Sequence, residues 1–239
     1  MKPLRPAIGA QVPQLPLALR YPPDQRLDTF VGAPAGAIEQ LRALAAGASD
    51  AWRYLVGPEG VGKTHLLLAT CAQAEAAGCR VAYLPLVAAA GRLRDALDAL
   101  EGNDLLALDG LDAIAGNRDN EVALFDAHNR ARATGSRIVY TARNAPDSLG
   151  VGLPDLRSRL SQCSRINLKP LDDDGRRDVL RQRALRRGWV LEEAALEWLL
   201  KRVERDLTGL TALLDRLDAA SLAAQRRITV PFLRQVLGA

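Results

Sequence analysis

The feature that most restricts the fold is a glycine-rich segment between a predicted strand and a predicted helix. Residues 57–64 read GPEGVGKT and match the phosphate-binding motif G-x-x-x-x-G-K-[ST] at every fixed position. The apolar run Trp52–Val56 predicts a buried strand. Leucines and alanines at helical spacing predict a helix over His65–Ala77 that ends at Gly78. Strand, loop and helix in this order are the context that the motif requires, so the sequence predicts a purine-nucleotide site.

Each residue type in this loop has a chemical reason to contact a nucleotide. Glycines let backbone N–H groups face a phosphate, and the N-terminus of the following helix adds partial positive charge. Lys63 can reach the β- and γ-phosphates, and the Thr64 hydroxyl can bind Mg²⁺. We therefore predict ADP or ATP with Mg²⁺ as ligands. The predicted nucleotide-binding residues are Gly57, Gly60, Val61, Gly62, Lys63, Thr64 and His65. The alternative, a glycine-rich turn with an accidental lysine, is disfavoured by the complete motif and its setting.

Composition excludes several classes of protein. No apolar run is long enough to span a membrane, and the prolines of the N-terminal segment interrupt any signal-peptide core, so we expect a cytoplasmic protein. Cys71, Cys79 and Cys163 lack metal-ligand spacing and are interpreted as reduced thiols. The net charge of +4 permits contact with nucleic acid, but it fits a solvated basic surface equally well.

Predicted strands and helices alternate up to Pro170, and only helices follow. The further predicted strands are Arg80–Pro85, Leu105–Leu108, Arg137–Thr141 and Arg165–Leu168, and the helices are Ala37–Ala46, Leu93–Leu100, Glu121–Thr134 and Pro154–Ser161. The later helices are Asp172–Arg187, Glu192–Val203, Leu207–Ala224 and Pro231–Leu237, with Asp172 and Thr229 as predicted N-caps. This order predicts an α/β domain over residues 27–170, with a parallel sheet covered on both faces, and a helical lid over residues 171–239.

Residues 1–26 are predicted to form an extended arm, because they contain six prolines and little periodicity. Within the arm, Gln14 is followed by Leu17 and Leu19 in the segment QLPLAL. A partner can bind such a segment as an extended peptide, with the leucines in pockets and the glutamine hydrogen-bonded at the rim. The pattern alone slightly favours the alternative, in which the two leucines attach the arm to its own domain.

Two further positions carry candidate chemistry. Asp109 ends a predicted strand, where a P-loop protein holds the Mg²⁺ that accompanies its nucleotide. The next position, where a hydrolase needs a carboxylate to orient water, is Gly110; Asp112 can reach back or cap a turn. Arg157 and Arg159 lie on a short predicted helix, from which an arginine finger can reach the γ-phosphate on a neighbouring molecule. The pattern alone favours exposed arginines on a basic helix.

Several segments, in this order, resemble the AAA+ domain of DnaA-like proteins. They are GPEGVGKTHLL, LLALDGLDAI, EVALFDAHNRARATG, RIVYTARNAP and GLPDLRSRL, followed by the helical lid. The resemblance is closer to the short Hda family and covers roughly residues 11–237. The chain stops at Ala239 after the lid, without the helix-turn-helix domain of an initiator, and QLPLAL is similar to the clamp-binding peptide of that family.

The resemblance implies a partner and a role for each site. Hda-like proteins in the ADP-bound form sit on a DNA-loaded sliding clamp, engage DnaA and promote hydrolysis of its ATP. It implies that Arg159 acts in trans as the arginine finger. It also implies that Gln14, Leu17 and Leu19 bind the clamp, so clamp binding is then favoured over attachment of the arm to its own domain. DNA would be contacted through the clamp, and homodimer formation is left open.

Some positions depart from the family pattern, and two other classes of protein are alternatives. The sensor 1 position aligns with Arg143 or Asn144, and the sensor 2 arginine aligns with Thr208, with Arg205 as a substitute. Together with Gly110, these departures imply a weak intrinsic ATPase. One alternative is a DnaC/IstB-like helicase loader or transposition helper that binds single-stranded DNA. The other is a self-assembling ATPase whose finger reaches an identical neighbour.

Overall fold

The computed structural model describes residues 25–89, 91–189, 191–202, 217 and 229–237. The predicted clamp-binding residues Gln14, Leu17 and Leu19 lie outside the described residues, as do Arg205 and Thr208.

The described chain is built on one five-stranded parallel sheet with the strand order β2-β3-β4-β1-β5. The strands are β1 (Arg53–Val56), β2 (Val81–Pro85), β3 (Leu105–Asp109), β4 (Arg137–Ala142) and β5 (Ser164–Asn167). The predicted parallel sheet is confirmed. The fifth strand begins one residue earlier than predicted, because Ser164 pairs with Arg53 and its N–H donates to the Trp52 carbonyl at 2.9 Å.

Five helices surround the sheet. They are α1 (Ala37–Ala45), α2 (Lys63–Ala76), α3 (Leu93–Asp98), α4 (Arg118–Thr134) and α5 (Pro154–Ser161). The predicted bounds of α5 are confirmed, whereas α4 begins three residues before the predicted Glu121. The reason is a cap that the prediction missed: the Asn117 side chain accepts the N–H of Asn120 at 3.0 Å.

Side chains of the inner strands β3, β4 and β1 alternate between two apolar layers, so both faces of the centre of the sheet are buried. Tyr54 and Val56 point into a core closed by α3, α4 and α5. Leu55, between them, points into a second core closed by α1 and α2. This alternation follows from the two-residue repeat of a strand, and burial on both sides explains why the inner strands are mostly apolar, whereas the edge strand β5 is mostly polar.

Three described helices follow the sheet domain: α6 (Asp173–Arg186), α7 (Glu193–Arg202) and α8 (Val230–Leu237). They share a third core that includes the fully buried Leu180, Leu199 and Leu233. The predicted cap is confirmed, since the Asp172 carboxylate accepts the N–H of Gly175 at 2.8 Å. Among the described residues, no helix has both the length and the apolar character that crossing a bilayer requires.

Candidate nucleotide site and arginine-bearing helix

The loop between β1 and α2 depends on glycine for its shape. Gly60 and Gly62 have φ angles of 75° and 93°, which side chains other than glycine rarely adopt. At Gly57 the restriction is space, because a Cβ atom would lie 2.4 Å from the carbonyl oxygen of Leu168. The glycines therefore let the loop curl at the carboxyl end of β1, as the motif predicts.

Lys63 begins α2 and reaches back across this loop. Its Nζ donates to the carbonyl oxygens of Gly57 and Pro58, both at 2.6 Å. Burial lowers the pKa of Lys63; the carboxylates of Asp112 and Asp109 oppose this shift. The ammonium group is thus held at the loop, within electrostatic range of the two carboxylates.

The Asp109 carboxylate at the end of β3 accepts hydrogen bonds from three hydroxyl groups. Thr64 Oγ1 donates to Asp109 Oδ2 at 2.8 Å, and the Tyr83 hydroxyl donates to the same oxygen at 3.0 Å. Thr141 Oγ1 donates to Asp109 Oδ1 at 2.5 Å and accepts the N–H of Gly110 at 2.8 Å. Burial raises the pKa of Tyr83, and Asp109 adds to the effect, so the phenol stays a donor at neutral pH.

The sequence predicted two of these four side chains. Thr64 and Asp109 come from the motif and the strand end, and the structure brings them together. A hydroxyl and a carboxylate are oxygen ligands that suit Mg²⁺, so this pair fits the ion that accompanies a nucleotide. The sequence analysis did not predict Tyr83 and Thr141. The sequence signal for both was a hydroxyl-bearing side chain on an otherwise apolar strand.

Gly110, the position after Asp109, offers no carboxylate, and the carboxylate of Asp112 is engaged by the backbone. Gly110 has a φ of 82° and no side chain. Asp112 accepts the backbone N–H of Arg143 through both oxygens, at 3.2 and 3.0 Å, so it holds the loop after β4. Arg143 in turn pairs with Glu59 of the phosphate-binding loop at 3.0 Å. Of the two sensor 1 candidates, Arg143 therefore contacts the phosphate-binding loop through its side chain.

His65 connects α2 to the segment that precedes the sheet. Its Nε2 lies 3.3 Å from the carbonyl oxygen of Arg26, and its ring meets the edge of Phe30 with centroids 5.3 Å apart. Phe30 is partly buried against the second core. The role of His65 in nucleotide binding stays a prediction.

Arg159 lies at the other end of the sheet from the phosphate-binding loop. It lines a cavity of about 460 Å³ together with Trp52, Arg137 and Cys163, which lie at the amino ends of β1, β4 and β5. We call this the amino-end cavity. The loop follows the carboxyl end of β1, and a four-residue strand spans roughly 13 Å. Arg159 is half-buried and Arg157 is exposed.

The guanidinium of Arg159 has neither a hydrogen bond nor an ion pair with any side chain in the described part of the chain. Arg130 of α4 differs, since it pairs with both Asp98 and Glu101. The charge of Arg159 is therefore available to an anion that the described residues do not supply.

Comparison with known proteins identifies the two domains. The family "ATPase family associated with various cellular activities (AAA)" matches residues 53–167, and the family "Hda, lid domain" matches residues 173–237.

Solved structures share the fold. Domain III of the Thermotoga maritima replication initiation protein DnaA gives a TM-score of 0.75 at 21% identity, over 91% of this chain and 97% of that one. AMPPCP-bound DnaA from Aquifex aeolicus gives 0.67 at 21% identity, over 81% and 65%. The RuvB Holliday junction branch migration motor of Thermotoga maritima gives 0.65 at 19%, over 90% and 71%. The chain therefore carries an AAA domain followed directly by an Hda lid domain on a fold like that of DnaA domain III, which supports an Hda-like, DnaA-related AAA+ protein.

Proposed function

We propose that this chain is a negative regulator of replication initiation. In its ADP-bound form it binds the DNA-loaded sliding clamp and promotes hydrolysis of the ATP held by DnaA, which implies a cytoplasmic location. The lid match and the DnaA-like fold support a regulator related to DnaA. The observation that carries the proposed action on DnaA-bound ATP is the guanidinium of Arg159. It is unpaired within the described residues and lies at the end of the sheet away from the chain's own phosphate-binding loop.

Nucleotide binding by this chain is supported by the shape of its loop and by the AAA match. Lys63 and the loop N–H groups would hold the phosphates, and Thr64 and Asp109 would hold Mg²⁺, which neutralises phosphate charge when bound. Because Gly110 leaves no carboxylate beside Asp109 to orient water, the intrinsic ATPase should be weak. The bound nucleotide would then serve mainly to stabilise the folded state.

The proposed finger acts on a different molecule. An arginine can stabilise transition-state charge only if it reaches the γ-phosphate, and Arg159 and the loop of the same chain lie at opposite ends of the sheet. Acting in trans removes this difficulty, because the nucleotide is then that of DnaA. A finger of this kind accelerates hydrolysis by about 10³–10⁵.

Binding to the sliding clamp is proposed from the arm. Gln14, Leu17 and Leu19 would enter the clamp as an extended peptide, which concentrates the chain on DNA without direct contact to bases.

Release of labelled phosphate from ATP preloaded on DnaA tests the proposal. With clamp-loaded DNA present, the wild-type chain should accelerate release, and Arg159→Ala should lose at least about 10³-fold of that stimulation while still binding ADP. Arg157→Ala is the matched control, since Arg157 is exposed on the same helix, and should keep the activity. Replacing Gln14, Leu17 and Leu19 together by alanine should abolish clamp binding and with it most of the stimulation.

Three outcomes contradict parts of this proposal. Full stimulation by Arg159→Ala with loss in Arg157→Ala would move the finger to Arg157. Undiminished clamp retention by the arm variant on an affinity column would refute the clamp-binding residues. A wild-type chain that binds ADP but never accelerates release would end the regulatory proposal, and salt-dependent binding to single-stranded DNA would then favour a loader.

A further inference from the structure

The amino-end cavity contains positive charge contributed by two helices. Arg132 of α4 and Arg159 of α5 both line it, along with the amide of Gln162. We propose that the amino-end cavity is a binding site for a small anion, a phosphate or carboxylate group held between the guanidinium groups of Arg132 and Arg159. This site is separate from the phosphate-binding loop, which lies at the opposite end of the sheet.

The charge of the two arginines is not neutralised within the described residues. Arg159 has no side-chain partner there, and Arg132 donates only to the neutral Gln162 Oε1, at 3.5 Å. The third lining arginine, Arg137, is used structurally, because it is buried and donates to the carbonyl oxygens of Leu44 and Ala45. Guanidinium groups prefer planar anions that accept two hydrogen bonds, and phosphates and carboxylates provide them.

The remaining wall groups leave this charge in place. His128 is 2% exposed; burial first, then Arg159 and Arg132, lower its pKa to about 4, so the ring is neutral at pH 7. Burial raises the pKa of the Cys163 thiol to about 12, and it is also neutral. The one carboxylate on the lining, Asp50, is exposed to water. With Arg137 bonded to backbone carbonyls and Asp50 facing water, the guanidinium groups of Arg132 and Arg159 favour an anionic occupant.

The neutral histidine can also offer a donor to such an occupant. His128 Nδ1 lies 3.0 Å from the Tyr140 hydroxyl, and burial raises the pKa of Tyr140, so the phenol keeps its proton. In the tautomer whose Nδ1 accepts that proton, the ring N–H is on Nε2, which has no partner among the described residues.

The volume indicates more than a bare ion. About 460 Å³ lies within the size range of small-molecule sites, so the anionic group can belong to a larger metabolite. An occupant would engage Arg159 and compete with its action on DnaA; this consequence rests on the proposed function, whereas anion binding itself does not.

Nuclear magnetic resonance of the His128 ring tests the site directly. The full chain is saturated with Mg²⁺ and ADP, so that the phosphate-binding loop is occupied, and ionic strength is held constant with chloride. Inorganic phosphate and citrate are then titrated in separate arms. The chain has two histidines, so His65 serves as the internal reference. The expected result is a saturable shift of the His128 signal, with its pKa raised because the bound anion offsets the two guanidinium groups.

Variants decide where the anion binds. Arg132→Gln should weaken binding at least about tenfold, because it removes a charge-assisted contact. Arg157→Gln removes the same charge from an exposed position outside the cavity and should bind as the wild type does. A response to phosphate alone, to citrate alone or to both supports the site and names its chemistry. Absence of a saturable His128 shift in both arms would overturn the proposal, as would equal affinity in wild type and Arg132→Gln. Neither result depends on stimulation of DnaA, so the two proposals fail separately.

Discussion

At the residue scale, His128 is a buried base whose surroundings oppose its protonation. Its ring packs against the Trp52 ring with centroids 4.4 Å apart, and Arg159 and Arg132 add to the effect of burial. An unfolded histidine binds a proton near pH 6.5, whereas His128 in the folded chain binds one only near pH 4. Between these values the unfolded state binds more protons, so the free energy of unfolding rises with pH.

Acidification should therefore destabilise the wild-type chain more than a variant without this ring. We expect His128→Gln to unfold more easily at pH 7, because it loses packing against Trp52. From pH 7 to pH 4, however, the wild type should lose up to about 3 kcal/mol more than His128→Gln. Urea unfolding at several pH values measures how the free energy of unfolding of each protein depends on pH. Parallel pH profiles for the two proteins would contradict the assigned environment of His128.

At the element scale, a buried carboxylate on α4 fixes the helix that carries Arg159. Glu121 is 1% exposed and accepts three backbone N–H groups, from Gly116 at 2.7 Å, Gly152 at 3.0 Å and Leu153 at 2.7 Å. Leu153 is the N-cap residue of α5 and has no polar side chain of its own for this purpose. Glu121 therefore caps α5 from the neighbouring helix and sets its position against α4.

Removing this carboxylate should loosen α5. Glu121→Gln keeps the shape but replaces one acceptor oxygen with an NH₂ donor, so at least one buried N–H loses its partner, at a cost of about 1.5–3 kcal/mol. Urea unfolding measures the loss, and stimulation of DnaA should fall while ADP affinity is kept. Asp119→Asn, an exposed acid in the same helical turn, should stay within about 0.5 kcal/mol of wild type. Equal stability of Glu121→Gln and wild type would show that the cap is dispensable.

The contacts of Glu121 are also ones that the sequence did not predict. Apolar runs and glycine stops predicted every strand and helix of the sheet domain to within a few residues, because both are local signals. The prediction began a helix at Glu121 and assigned its carboxylate no contact. Its partners Gly152 and Leu153 are remote in sequence, and so are the hydroxyls of Tyr83 and Thr141 that bond to Asp109. Those contacts depend on β2 and β4 flanking β3, an order that periodicity does not encode.

At the scale of the whole molecule, the segment before the sheet links the nucleotide loop to the lid. On one side, Phe30 meets the ring of His65, which follows the phosphate-binding motif. On the other, Val31 packs against the lid core, and Arg186 of α6 donates to the carbonyl oxygen of Thr29 at 3.5 Å. A ligand that orders the loop therefore bears on both domains through a few adjacent residues.

ADP should consequently stabilise the lid and the sheet domain together. At a free concentration 100 times its dissociation constant, a ligand specific for the folded state adds about 2.7 kcal/mol, which raises the melting temperature of a chain of this size by roughly 5–10 °C. Lys63→Ala should lose most of this shift, and Lys169→Ala, an exposed lysine, should keep it. Circular dichroism follows all helices, while fluorescence of Trp189 and Trp198, measured in a Trp52→Phe background, reports the lid. If ADP shifts the first signal and leaves the second unchanged, the link through residues 26–31 is wrong; an undiminished shift in Lys63→Ala would instead remove the nucleotide from the loop.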